Sequence, residues 1–372
     1  MIIESVVNRI KKLAIPYRLN MNLKGSKSTE SSLLKFHSFK QDDEIESPSE
    51  ALKLLRSGQV LVVKGALNKC SNSDLVNRAL GFDIQEIEQL HQNKNLTEIQ
   101  EIIQAQRGSI STLELQTRII AHFSSSLGLE RIFVELEPNL RLQPPFKQIL
   151  KSVKEVESRI GTGQVSPHSV HKDSWYYHPK NTFNIWVSLT NCDFRNSLSI
   201  LPESQDYYPP TNGFDVVDFR DALAEKHLEL ELEPGDAVIF LAELMHGSIL
   251  NQSDITRGTL SMRFCQTEPV LHTDRHYHYV RFNSNKNKFR PSRLKKENFS
   301  PKLLEASQPV SPEGENIKIN KKNIEISTHN GKITVPRYCP HQGVDMAGGF
   351  YCEKRDGWIC PAHRYCVKGQ VK

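Results

Sequence analysis

The stretch HSVHKDSWYYHPKNTFNIWVSLTN, residues 168–191, decides how this chain is read. It sets His171 and Asp173 two residues apart, and on an extended segment such a pair points to one side of the chain. Both side chains can then reach a single metal ion. A third ligand must come from elsewhere, and the segment PGDAVIFLAELMHGSILNQSDITRGTLSMRF, residues 234–264, offers His246. That histidine follows a Pro-Gly-Asp turn and an apolar run that reads as a buried strand. Two imidazoles and one carboxylate on one face of a metal leave the opposite positions open, an arrangement suited to Fe(II).

The set His171-x-Asp173, His246 and Arg257 is flanked by Asn184-x-Trp186, LPES at 201–204 and GDAVIF at 235–240. Together these residues resemble the Fe(II)/2-oxoglutarate-dependent dioxygenases, and within them the phytanoyl-CoA hydroxylase-like group. The resemblance implies a double-stranded β-helix, or jelly roll, with Fe(II) held by His171, Asp173 and His246. It also implies that Arg257 pairs with the far carboxylate of 2-oxoglutarate, with Asn184 and Trp186 as further cofactor-binding residues. A guanidinium fork suits that task on physical grounds, because it binds a carboxylate bidentately and keeps its charge when partly buried. Arg263 is the alternative, an even number of strand positions further on and so on the same face. A second His-x-Asp, His272-Thr273-Asp274, is followed by no comparable block of turn, strand, histidine and arginine. Related halogenases carry a small residue at the position of Asp173 to make room for halide. The expected reaction is therefore hydroxylation or another oxidation of a small organic molecule with O2 and 2-oxoglutarate.

A chain of 372 residues is long enough for one large domain and a small one. Its 48 basic residues exceed its 43 acidic ones by only five, too little to argue for nucleic acid. No segment approaches the length of a membrane span. The N-terminal apolar spacing of Ile3, Val6, Val7, Ile10 and Leu13 is broken by Glu4, Arg9, Lys11 and Lys12, which predicts a packed helix rather than a signal peptide. Seven cysteines without a framework of pairs fit a reducing compartment, the cytoplasm by default.

The expected order is an N-terminal helix and polar loop (1–48), a dioxygenase-like jelly roll (49–279), a basic linker (280–312) and a small C-terminal unit (313–372). ALKLLRSGQVLVVKGAL, residues 51–67, predicts a helix, a Ser-Gly stop and a strand. Residues 73–128 are helical in pattern, with Leu113, Leu115, Ile119, Ile120 and Phe123 as a buried stripe. From residue 131 the runs RIFVELEP, TFNIWVSLT, SLSILPES, HLELELEPGDAVIFL and GTLSMRFCQT predict short strands without intervening helices. The fold class is thus mainly β with flanking helices. Tyr176, Tyr177, His178, Tyr207 and Tyr208, with the loop 205–225, are candidates for lining the mouth of the roll, though ordinary packing or surface is the preferred reading of each taken singly. The basic linker reads as a solvated connection, or as a dock for an acidic redox partner.

At the C-terminus, Cys339-Pro-His341 and Cys360-Pro-Ala-His363 resemble the Rieske [2Fe-2S] domain. The resemblance implies that Cys339 and Cys360 hold one iron and His341 and His363 the other, neutral imidazoles raising the potential. A tetrahedral zinc site is the alternative, disfavoured because each loop supplies one cysteine and one histidine. The chain ends nine residues after His363, so the unit is expected to be a strand or two shorter than usual. Its expected part is accessory electron transfer, fed by a ferredoxin or a reductase. Two other readings stand beside this one: a Rieske-driven, NAD(P)H-dependent monooxygenase without 2-oxoglutarate, and a non-catalytic redox or iron sensor.

Overall fold

The computed structural model describes residues 33–39, 43–106, 109–136, 138–149, 170–176, 178–207, 210–211, 228–269, 271–272, 279–284, 288–290, 296–297, 304–305, 316–328, 331–338, 346–348, 350–352, 357–359 and 366–371. Helix α1, Pro48–Arg56, starts where Ser47 accepts from the amide of Glu50 and proline occupies the first turn. Both are favoured at helix starts, the hydroxyl for an orphan donor and the proline for its fixed φ. The longer helices that follow are α2, Ser73–Leu80; α3, Leu96–Gln106; and α4, Ile110–Ser126, with short helical turns at Ala66–Cys70 and Leu90–Asn93. The stripe expected on α4 is fully buried at Leu113, Leu115, Ile119, Ile120 and Phe123.

The helices cover one face of a nine-stranded antiparallel sheet. Its strands are β1 (His37–Ser38), β2 (Leu61–Val63), β3 (Arg131–Glu135), β4 (Asn139–Gln143), β5 (Thr182–Ser188), β8 (Ala237–Leu241), β10 (Arg257–Cys265), β11 (Tyr279–Asn283) and β12 (Lys288–Arg290). The spatial order is β1-β2-β8-β5-β10-β3-β11-β12, and β4 pairs with the first half of β10. The smaller sheet joins β6 (Leu198–Leu201), β7 (Leu228–Glu229) and β9 (Met245–Ser248) in the order β9-β6-β7. Trp186, Val238 and Phe240 of the large sheet pack with Leu198 and Ile200 of the small one. This mainly-β, antiparallel arrangement with few helices is the jelly-roll class expected from the sequence.

Strand alternation divides the residues of β5 and β10 between two environments. Phe183, Ile185, Val187, Leu260, Met262 and Phe264 join the core beneath the helices. Asn184, Trp186, Arg257, Thr259, Ser261 and Arg263 take the opposite face, and the register sets Trp186 opposite Ser261 and Asn184 opposite Arg263. Gly258 lies on the helix side, where a Cβ would stand 2.8 Å from Ile87 Cγ2 and 3.3 Å from Leu189 Cβ. Gly258→Ala is expected to cost about 1–3 kcal/mol through overpacking, read as a lower urea midpoint with an unchanged m-value.

The run HLELELEP is strand only at Leu228–Glu229; its later leucines, Leu230 and Leu232, are buried without joining a longer strand. In the C-terminal unit, Ile317–Ile319, Asn323–Thr328, Gly331–Pro336 and Gln370–Val371 form a four-stranded sheet. Phe350–Cys352, Gly357–Ile359 and Cys366–Val367 form a second. Ile324, Ile326, Ile333, Val335, Met346, Trp358 and Val367 make a core of their own, in which Trp358 Nε1 donates to the Met346 carbonyl at 2.7 Å. Cys339, His341, Cys360 and His363 lie outside the described residues, as do the N-terminal helix, Tyr177, Tyr208 and most of the loop 205–225. No helix among the described residues is long and apolar enough to cross a membrane.

Candidate metal centre

His171, Asp173 and His246 come together at the end of the roll. One potential ligand atom from each lies within 4.8 Å of the others, and all three residues are buried. Main-chain pairing brings this about: the His171 amide donates to the His246 carbonyl at 2.8 Å, and the His246 amide donates back at 2.9 Å. The Asp173 amide donates to Ala242 O at 3.0 Å. One detail differs from the sequence reading, while His246 follows the apolar run as read. Asp173 opens a 3-10 turn, Asp173–Tyr176, rather than continuing an extended segment. His246 lies on β9 of the smaller sheet, one turn beyond the apolar run of β8.

Asp173 Oδ1 stands 3.5 Å from His171 Nε2 and 3.7 Å from His246 Nε2. Ligands at right angles on a first-row metal are about 3 Å apart, so closing on an ion needs only small movements. Nδ1 of His246 lies 2.8 Å from the Leu244 carbonyl, which can only accept; the proton therefore sits on Nδ1 and the lone pair on Nε2. Burial holds the His246 imidazole down to about 4, which keeps it neutral and free to ligate. Burial would push the Asp173 carboxyl up, but Arg263 and the neighbouring imidazoles outweigh it and hold it well below the carboxylate range. The donor set, neutral nitrogen with ionised oxygen, fits a divalent transition metal.

The two arginines of β10 have different partners. Arg263 donates from Nε to Asp173 Oδ2 at 2.9 Å, from Nη2 to Asp173 Oδ1 at 3.2 Å and from Nη1 to Glu135 Oε2 at 3.4 Å. Arg257 is 0 % exposed and meets no carboxylate among the described residues. Its Nη1 donates to the carbonyls of Asn196 and Ser197 at 2.8 and 3.2 Å, its Nη2 reaches Ser248 Oγ at 3.4 Å, and its Nε has no partner. Its guanidinium lies 5.8 Å from the centre of the Trp186 ring. Burial lowers its pKa to about 10, still charged at neutral pH. Beside it, Thr259 Oγ1 and the Gln143 side-chain amide are buried without hydrogen-bond partners. Gln143 pairs with Arg257 across β4 and β10.

Asn184 and Trp186 were both expected beside the cosubstrate. Asn184 donates to Asp173 Oδ2 at 2.8 Å, and Trp186 stacks under Arg257. Sequence reasoning missed Glu135, Gln143 and Lys172. Lys172 is 0 % exposed and donates to Gln205 O at 2.6 Å; burial brings its ammonium down to about 8, with Glu243 and Asp206 working the other way. A lysine between two ligands carries no pattern that would single it out. Of the second His-x-Asp, Asp274 lies outside the described residues.

A jelly roll that carries two histidines and an aspartate on its inner side is the architecture of a non-haem iron oxygenase. Residues 85–259, just under half of the chain, match the family model described as phytanoyl-CoA dioxygenase (PhyH). The matched span includes the triad, Asn184, Trp186 and Arg257. With the buried triad inside the matched span, the chain is an enzyme of the iron- and 2-oxoglutarate-dependent class. Among solved structures, the epimerase SnoN in complex with Fe3+, alpha ketoglutarate and nogalamycin RO is similar at 16% identity, covering 59% of this chain and 86% of that one, with a TM-score of 0.39. The carbocyclase SnoK from nogalamycin biosynthesis is similar at 16% identity over 60% and 85% of the two chains, TM-score 0.37. EctD from S. alaskensis, in its apoform, is similar at 17% identity over 52% and 66%, TM-score 0.34. No curated protein matches the chain.

Proposed function

We propose that His171, Asp173 and His246 hold Fe(II), that Arg257 pairs with the far carboxylate of 2-oxoglutarate, and that the enzyme oxidises a small organic molecule. The observation that carries this reading is the buried Arg257 guanidinium, charged and without a carboxylate among the described residues, on the face of the large sheet that packs toward the smaller sheet bearing His246. A buried charge left without a counter-ion is costly, and a dicarboxylate would supply one. Arg257 Nε, Thr259 Oγ1 and the Gln143 amide are donors available to such a ligand. Arg263 is a poor candidate for that contact, because two protein carboxylates already engage it.

Bound Fe(II) would supply the redox chemistry by which O2 and 2-oxoglutarate yield succinate, CO2 and, from a C–H bond, a hydroxyl group. The protein's own contribution is binding and orientation. Trp186 flanks the arginine, the roll buries the polar ends from water, and Leu244 O fixes the His246 tautomer. Titrating Fe(II)-loaded protein with 2-oxoglutarate without oxygen should give one equivalent bound and a new visible absorption. Heat of binding without a spectral change would overturn this placement of the cosubstrate.

The four residues Cys339, His341, Cys360 and His363 are proposed to hold a [2Fe-2S] cluster as an accessory electron site, on the strength of their motif alone. Iron and acid-labile sulfide counted on anaerobically purified protein, with EPR after dithionite, test it. Protein that lacks sulfide and carries tightly bound zinc would overturn the proposal.

A further inference from the structure

We infer that Arg263, together with Asn184, is a positioning residue that presents Asp173 to the metal through one oxygen, Oδ1; this rests on reading the site as an iron centre. The two carboxylate oxygens are in different surroundings. Oδ2 accepts from Asn184 Nδ2 at 2.8 Å and from Arg263 Nε at 2.9 Å. Oδ1 takes a longer hydrogen bond, 3.2 Å from Arg263 Nη2, and turns its other lone pair toward both Nε2 atoms, to His171 at 3.5 Å in a weak hydrogen bond and to His246 at 3.7 Å. A carboxylate oxygen offers two lone pairs. Those of Oδ2 are both taken, while Oδ1 has one held only by that weak bond and open to a cation.

The guanidinium is itself held at its far edge. Nη1 donates to Glu135 Oε2, and Glu135 is 2 % exposed, with its backbone carbonyl accepting from Gln116 Nε2. Its plane is therefore set by β3 and β10 before any metal arrives. Turning Asp173 to offer both oxygens would break the Asn184 bond and the two-point fork together. One-oxygen presentation has a consequence for a six-coordinate ion: two imidazoles and one oxygen leave three positions, enough for a chelating cosubstrate and O2. A second carboxylate oxygen would close one of them. Arg263 lies beyond residue 259, where the match to the dioxygenase family model ends.

Co(II), whose absorption reports its ligand field, is the probe. It would be titrated against a competing chelator into full-length wild type, Arg263→Met, Arg263→Lys and Asn184→Ala, each with its thermal midpoint recorded. Arg263→Met is expected to loosen Co(II) by about 10–100-fold and to alter the visible spectrum, as loss of a ligand-orienting partner does. Lysine returns the charge without the fork, so it should recover part of the affinity but not the spectrum. Asn184→Ala frees one lone pair of Oδ2 and should loosen Co(II) by about 10-fold. Wild-type affinity and spectrum in all three variants would overturn the inference, as would full restoration by lysine, since charge alone would then suffice. If the Arg263 variants do not fold, Asn184→Ala decides on the same terms. A wild-type protein that binds no Co(II) would instead overturn the metal centre itself.

Discussion

Arg257→Met is expected to weaken 2-oxoglutarate binding to the metal-loaded protein on the order of 10²–10³-fold, equivalent to about 3–4 kcal/mol. Methionine keeps most of the volume over Trp186 but removes a buried cation that meets no carboxylate among the described residues. None of the hydrogen bonds made by Arg257 reaches the triad, so the same variant should take up metal as wild type does. Calorimetry with 2-oxoglutarate, beside metal analysis of the same preparation, separates the two quantities. The thermal stabilisation that saturating 2-oxoglutarate confers on wild type should also vanish. Equal affinity in variant and wild type would mean that Arg257 merely ties Asn196 and Ser197 to β10.

Asp173→Asn carries the other large effect. The amide is nearly isosteric, yet it removes the only ionised ligand from the triad and exchanges an acceptor for a donor in front of Arg263. Losing one member of a buried ion pair costs about 3–5 kcal/mol, and metal affinity is expected to fall on the order of 10³-fold. Equilibrium dialysis against Fe(II) under anaerobic conditions should leave the variant well below one equivalent while wild type retains one. A variant that holds a full equivalent would remove Asp173 from the ligand set.

Much of the site was legible because the spacing of a few residues constrains it. His171-x-Asp173 and His246 converge as read, and the alternation along β10 sends Arg257 and Arg263 to one face. What each arginine does there was not legible. It depends on which strands lie alongside: the partners of Arg263 are 90 and 128 positions away, on segments whose adjacency no local pattern states. Glu135 was hidden for the same reason, an unremarked carboxylate at the end of an ordinary strand. The strand Asn139–Gln143 was also missed, since the proline pair after it reads as loop. The turn at Asp173 escaped because it is fixed by a main-chain bond to Ala242, 69 positions away, which no local pattern states.

Counted with neutral imidazoles, Asp173 and Glu135 cancel Arg263 and Arg257, and the buried Lys172 is set against Glu243. A dication alone would leave this interior two charges positive, and a dianion alone two charges negative, each expensive where water is scarce. Arriving together, iron and 2-oxoglutarate would leave it balanced. Each thus favours the binding of the other electrostatically, and by linkage the factor by which one tightens the second equals the factor by which the second tightens the first.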